Sequence, residues 1–121
     1  MFLQILRGET VLKKLLVLVF AIATIVSFGF VNPALAGDAA SGGKIFSANC
    51  AACHMGGNNV INAAKTLKQD ALKQYDMYSI DAIKYQVVHG KNAMPAFGNK
   101  LSDAQIEDVA TYVLSQADSG W

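Results

Sequence analysis

The 121-residue chain has only two cysteines, two histidines and two prolines, and its single arginine, Arg7, lies in the first ten residues. Each scarcity excludes something. Two cysteines cannot build the multiple-bridge scaffold of a small secreted protein. Without an arginine cluster or a basic stripe interleaved with aromatics, nucleic acid is not an expected partner. No stretch shows sustained alternation of apolar and polar residues, so no sheet is expected and the fold class reads as all-α. No internal repeat and no low-complexity segment follows residue 36. From Gly37 onward seven lysines stand against eight acidic residues, a formal charge near −1. The +1 of the whole chain therefore comes from its N-terminal segment.

The two cysteines stand together, in Cys50-Ala51-Ala52-Cys53-His54. A dithiol redox pair of this spacing belongs near a βαβ pattern, which is absent. A zinc site would need two further ligands, and His54 and His89 are the only obvious ones. An immediate histidine after C-x-x-C is instead the attachment signature of a c-type haem. Each thiol adds to one haem vinyl group, giving two thioethers. A two-residue spacer on a helical turn sets both sulfurs along one porphyrin edge, and the next residue aims its imidazole at the iron. Cys50 and Cys53 are thus expected to hold one covalent haem c, with His54 as an axial iron ligand.

The N-terminal segment has the form of an export signal. Arg7, Lys13 and Lys14 supply positive charge, residues 15–31 are uncharged and mostly apolar, and Ala34 and Ala36 place small residues where a signal peptidase reads. Residues 1–36 are expected to be a signal peptide cleaved after Ala36, and residues 37–121 one domain. The apolar run is slightly short of the roughly 20 residues of a membrane span, the alternative reading. The positive pair falls late for such a signal, which points to a start codon downstream of Met1. Export agrees with haem attachment outside the cytoplasm. A domain of this size has a small core, and a covalently held apolar cofactor would supply the missing part.

Four helices are expected. The first runs from Asp38 to His54, with Ile45 and Phe46 inward. Gly42 shares a face with Phe46 and costs about 1 kcal/mol against alanine inside a helix. That cost has a use if a second helix crosses there; otherwise Gly42 and Gly43 mark a frayed first turn. Residues 55–66 read as loop, with Ile61 turned inward. A short second helix spans Leu67 to Tyr75. Ser79 opens the third as N-cap, with Asp81 in its first turn, and His89-Gly90 closes it. Residues 91–101 are loop. Ser102 and Gln105 form a capping box for the last helix, which is expected to end near Gln116. Ile106, Val109, Ala110, Val113, Leu114 and Ala117 make its apolar stripe, Tyr112 lies beside it facing Gly42, and Asp103, Glu107 and Asp108 face water.

The second axial ligand is sought among Met55, Met77, Met94 and His89. Met55 adjoins His54 and cannot reach the opposite face. Met77 lies in a connection between helices. Met94 lies in a loop stiffened by Pro95, which also biases Met94 toward extended backbone. His89 would give a bis-histidine site, but it sits at a helix C-terminus, where an imidazolium is favoured by the dipole.

Three segments together resemble cytochrome c6, the electron carriers of cyanobacteria and algae. They are the haem motif, Lys91-Asn92-Ala93-Met94-Pro95-Ala96-Phe97-Gly98, and Val109-Ala110-Thr111-Tyr112-Val113-Leu114, with Trp121 at the end. The resemblance covers essentially all of residues 37–121. It implies a small class I cytochrome c fold wrapped around one haem, Met94 as the sixth ligand, and Gln86 close to the haem. It implies a soluble one-electron shuttle, not an enzyme, that carries electrons from the cytochrome b6f complex to photosystem I in the thylakoid lumen. The protein would be a monomer or weak oligomer. A terminal oxidase is the second acceptor considered, served in the lumen or the periplasm. A haem sensor with a labile sixth ligand is the alternative outside electron transport. Two positions depart from the family pattern: His89 replaces a usual asparagine, and Lys100 an arginine associated with photosystem I docking. Lysine keeps the charge but loses the planar fork.

Overall fold

The computed structural model describes residues 10–20 and 37–121, in two separate units, residues 1–33 and 34–121. In the first unit residues 10–20 are helical. The cleavage site after Ala36 and most of the apolar run lie outside the described residues. Among the described residues no helix is long and apolar enough to cross a membrane.

The second unit is built from five helical segments: α1 (Ala39–Asn49), α2 (Ala51–His54), α3 (Gln69–Gln74), α4 (Ile80–His89) and α5 (Asp103–Ser119). A 3-10 turn, Met55–Gly57, follows α2. The β-structure among the described residues is one isolated bridge between Lys91 and Met94, so the all-α expectation stands.

Asp38 caps α1 through its side chain, which accepts from the Ala40 N–H at 2.9 Å and from the Ser41 hydroxyl at 2.8 Å. The Ser41 hydroxyl and the Ala40 N–H together hold the Asp38 carboxyl below its usual value. The expected single helix from Asp38 to His54 is broken at Cys50. The Cys50 N–H still closes α1 on the Phe46 carbonyl at 2.8 Å, while its own carbonyl accepts from Cys53 and His54 and so begins α2.

Helix α3 starts later than the apolar spacing suggests. The Leu67 N–H is bonded to the Gly57 carbonyl at 2.7 Å and the Leu67 carbonyl to Trp121 Nε1 at 2.9 Å, so this residue serves tertiary contacts. Asp76, at φ 55°, ends the segment. Ser79 caps α4 on the Ala82 N–H at 3.1 Å. Gly90 closes α4 at φ 68°, ψ 177°, a region open in practice only to glycine.

Both halves of the α5 capping box form. Ser102 Oγ accepts from Gln105 N at 3.2 Å, and Gln105 Oε1 accepts from Ser102 N at 2.9 Å. The helix runs past Gln116 to Ser119, because Ala117 continues the buried stripe and Asp118 is engaged by Tyr78 and Gln69.

The core joins Phe46 of α1, Leu72 of α3, Ile83 and Val87 of α4, Phe97, and the α5 stripe from Ile106 to Ala117. Helices α1 and α5 cross at Gly42. A Cβ built there would run into the Asp108 carbonyl and come within 2.8 Å of Tyr112 Cβ, so Gly42 is a crossing point and not a frayed turn. Phe46 meets Tyr112 and Trp121 at ring-centroid distances of 5.2 and 5.3 Å. Glu107 and Asp108 are half-buried, not solvated as the pattern suggested. Glu107 takes Lys84 of α4 at 2.6 Å, and Asp108 Oδ1 accepts the Asp38 N–H at 2.7 Å.

Gly42→Ala should gain helix propensity yet lose more at the crossing, because the obstructing atom is backbone. A net loss of about 1–3 kcal/mol is expected from guanidinium unfolding. An unchanged or raised midpoint would mean that the two helices can separate freely.

Candidate haem site

A cavity of about 590 Å³ opens between the helices, within the size range of cofactor sites. Its inner wall is core: Phe46, Leu72, Ile83, Val87, Val109 and Val113. Polar groups gather around it, including Asn59, Asn62, Lys65 and Lys91.

Cys50, Cys53 and His54 all line this cavity. Cys50 is half-buried against the core and Cys53 is exposed. Burial pushes the Cys50 thiol up to about 11, since a thiolate there would lose solvation. A thioether has no proton to lose and suits such a wall. His54 Nδ1 is 2.9 Å from the Asn58 carbonyl. A carbonyl can only accept, so Nδ1 carries the hydrogen and Nε2 keeps its lone pair for a metal.

Met94 also lines the cavity, half-buried. Its loop is fastened twice. Lys91 and Met94 exchange backbone hydrogen bonds of 3.0 Å around Asn92, which stands at φ 53°. Phe97 and Gly98 then donate to the Val87 and Val88 carbonyls at 2.8 and 3.2 Å. Gln86 lines the cavity, and its Nε2 lies 3.5 Å from the Met94 sulfur.

The rival ligands separate by position. Met55 is 72% exposed and lies outside the cavity wall. Met77 does line the cavity, with its N–H on the Leu72 carbonyl at 2.7 Å. His89 does not: its Nδ1 donates to the Tyr85 carbonyl at 2.8 Å, and its ring stacks on Tyr85 at 4.2 Å. Ile61 is on the wall as expected. Two contributors had no advance signal. One is the Asn58 carbonyl that orients His54. The other is Asn59, whose Oδ1 accepts from the Ile61 and Asn62 N–H groups and whose Nδ2 donates to the Lys65 carbonyl. The Asn58-Asn59 pair marked a loop but not its bonds.

The residues present fit a covalent haem. The wall is apolar and of sufficient volume, two sulfurs lie two residues apart at its edge, and an imidazole with a free Nε2 follows them.

This is the fold and site of a small c-type cytochrome, and relatives agree. Residues 37–113 match the family described as cytochrome C oxidase, cbb3-type, subunit III. The cytochrome c6 of Thermosynechococcus vestitus is 60% identical over 110 residues, covering 91% of this chain and 98% of that one. That of Pyropia yezoensis is 56% identical, covering 91% of this chain and all of its own. Among solved structures, cytochrome c6 from the diatom Phaeodactylum tricornutum matches with a TM-score of 0.69 at 55% identity, over 70% of this chain and all of that one. The chain belongs to the cytochrome c6 family. It is accordingly an electron-transfer protein with one covalent haem c, not an enzyme, and its helices form the class I cytochrome c fold.

His89→Asn should leave the absorption spectrum of the holoprotein unchanged, because the ring is held on Tyr85 outside the cavity. Loss of low-spin ligation in that variant would make His89 the ligand instead.

Proposed function

We propose that this protein is a one-electron shuttle whose haem is held by thioethers to Cys50 and Cys53 and whose iron is ligated by His54 and Met94. The observation that carries the ligand set is the Met94 loop, fastened at both ends and presenting a sulfur that the Gln86 amide already contacts. The bound haem supplies an Fe(III)/Fe(II) couple. His54 is turned by Asn58 so that Nε2 can coordinate. Gln86 restrains the Met94 sulfur. Phe46, Leu72, Val109 and Val113 line the cavity with apolar surface that would exclude water, and both burial and a methionine ligand would raise the potential. With His54 and Met94 both holding the iron, no position would be left open to a substrate, which favours outer-sphere transfer over a sensor role.

In this reading residues 1–36 are an export signal and residues 37–121 the mature carrier. The mature protein works as a monomer or weak oligomer in the thylakoid lumen, taking electrons from cytochrome b6f and passing them to photosystem I. The cyanobacterial and algal relatives support that setting. Contacts with such partners are small and transient. Exposed Met55 and Val60, close to the attachment motif, suit brief apolar docking. A second acceptor, a terminal oxidase, has one observation in its favour: the matching family is described by an oxidase subunit.

Met94→Ala should abolish the weak long-wavelength charge-transfer band of ferric methionine ligation and lower the reduction potential. An unchanged potential would move the sixth ligand elsewhere, with Met77 next in line. For the acceptor, flash-induced photosystem I should be re-reduced by the wild-type holoprotein in a second-order phase. Absence of that phase, with rapid oxidation by oxidase-containing membranes, would favour the second acceptor.

A further inference from the structure

One wall of the cavity is tied at several points to the end of the chain. Residues 57–78 supply Ile61, Thr66, Leu67, Ala71, Tyr75 and Met77 to the lining. The only α-helix in this stretch is α3, six residues long, far too short to persist by its own hydrogen bonds. Leu72 anchors it in the core.

Three polar ties converge from separate points of this wall on the last four residues. Trp121 Nε1 donates to the Leu67 carbonyl at 2.9 Å, and the indole packs on the Gly57 backbone. Gln69 Nε2 donates to Asp118 Oδ1 at 2.9 Å. The Tyr78 hydroxyl donates to the same oxygen and accepts from Gln69 Nε2 at 3.2 Å. Asp118 is a charged acceptor, so its bonds are of the stronger kind. Tyr78 holds the Asp118 carboxyl below its usual value, and Asp118 in turn pushes the Tyr78 phenol up. Lys73 also lies close, its Nζ 4.9 Å from the Tyr78 ring centroid.

We propose that Asp118 and Trp121 are positioning residues that latch the 57–78 wall over the cofactor, and so set how far water enters the site and how readily a small anion displaces Met94. The inference rests on the haem site described above. Its consequence is electrochemical: an apolar wall that opens more often admits water, stabilises the more charged ferric state, and lowers the potential.

The test uses the holoprotein and graded variants. Tyr78→Phe removes both hydrogen bonds of the phenol while keeping its ring, and Trp121→Phe removes one while keeping an aromatic side chain. Trp121→Phe should raise the rate of cyanide binding to the ferric protein about fivefold, the equilibrium weight of one ordinary hydrogen bond, and Tyr78→Phe by more. The potential should fall, and amide exchange at Leu67 and Met77 should quicken by the same factor, while Ala110 and Val113 of α5 keep their protection. Asp118→Ala should act more strongly, and Asp118→Asn, which retains an acceptor oxygen, should recover part of the loss. Equal acceleration of exchange throughout α1 and α5 would make the ties general supports and overturn the latch. So would unchanged cyanide rates and potential. A wild-type protein without the methionine charge-transfer band would refute the Met94 assignment alone, since the exchange measurement does not depend on which side chain binds iron.

Discussion

The crossing of α1 over α5 at Gly42 is the contact on which the rest depends. With no side chain at Gly42, the α1 backbone comes close to the Asp108 carbonyl and Tyr112. One turn further along α1, Phe46 reaches Tyr112 and Trp121 and enters the cavity wall. One more turn brings Cys50 to the rim. From the other side the same approach aims Val109 and Val113 into the cavity. Two edges of the site are therefore placed by one close contact, and a polar link there, Asp38 N–H to Asp108, holds the start of α1 to the same turn of α5.

Around that frame the site is completed by loops, and each loop is fixed by bonds to backbone. His54 is oriented by a carbonyl four residues on, Met94 by its reciprocal pair with Lys91, and the Met94 loop by α4 through Phe97 and Gly98. Buried polar atoms are few, and among the described residues no buried side-chain nitrogen or oxygen lacks a partner. The cavity can thus be apolar inside without leaving unsatisfied groups at its rim, the condition that lets a low-dielectric site form in so small a domain.

Much of this was legible because its causes are local. The Ser102–Gln105 box and the Ser79 cap each depend on residues a few positions apart and appear as expected, and Gly90 ends α4 at positive φ, though with ψ 177° rather than in the left-handed helical region. Gly42 could be read because a helix-interior glycine needs a reason. What sequence spacing could not reveal are bonds between distant segments. Leu67 looked helical, but Gly57 and Trp121 claim its backbone. Glu107 and Asp108 sit at polar positions of the α5 pattern, yet Lys84 and the Asp38 N–H draw them into interfaces. The helix break at Cys50 is the instructive case. Composition gives no warning of it, since alanine and cysteine do not end helices, and it shows only in the Cys50 backbone, whose φ of −117° departs from helical geometry.

Cys50 also limits how the chain can change in length. Cys50 closes α1 with its N–H and opens α2 with its carbonyl, leaving no slack between the two segments. Residues 42–50 therefore act as a ruler from the crossing point to the first sulfur. Adding or deleting one residue there would swing Cys50 by about 100° around the α1 axis, away from the cavity. Substitutions on the exposed face of α1 can accumulate, but its length between Gly42 and Cys50 is closed to insertion and deletion.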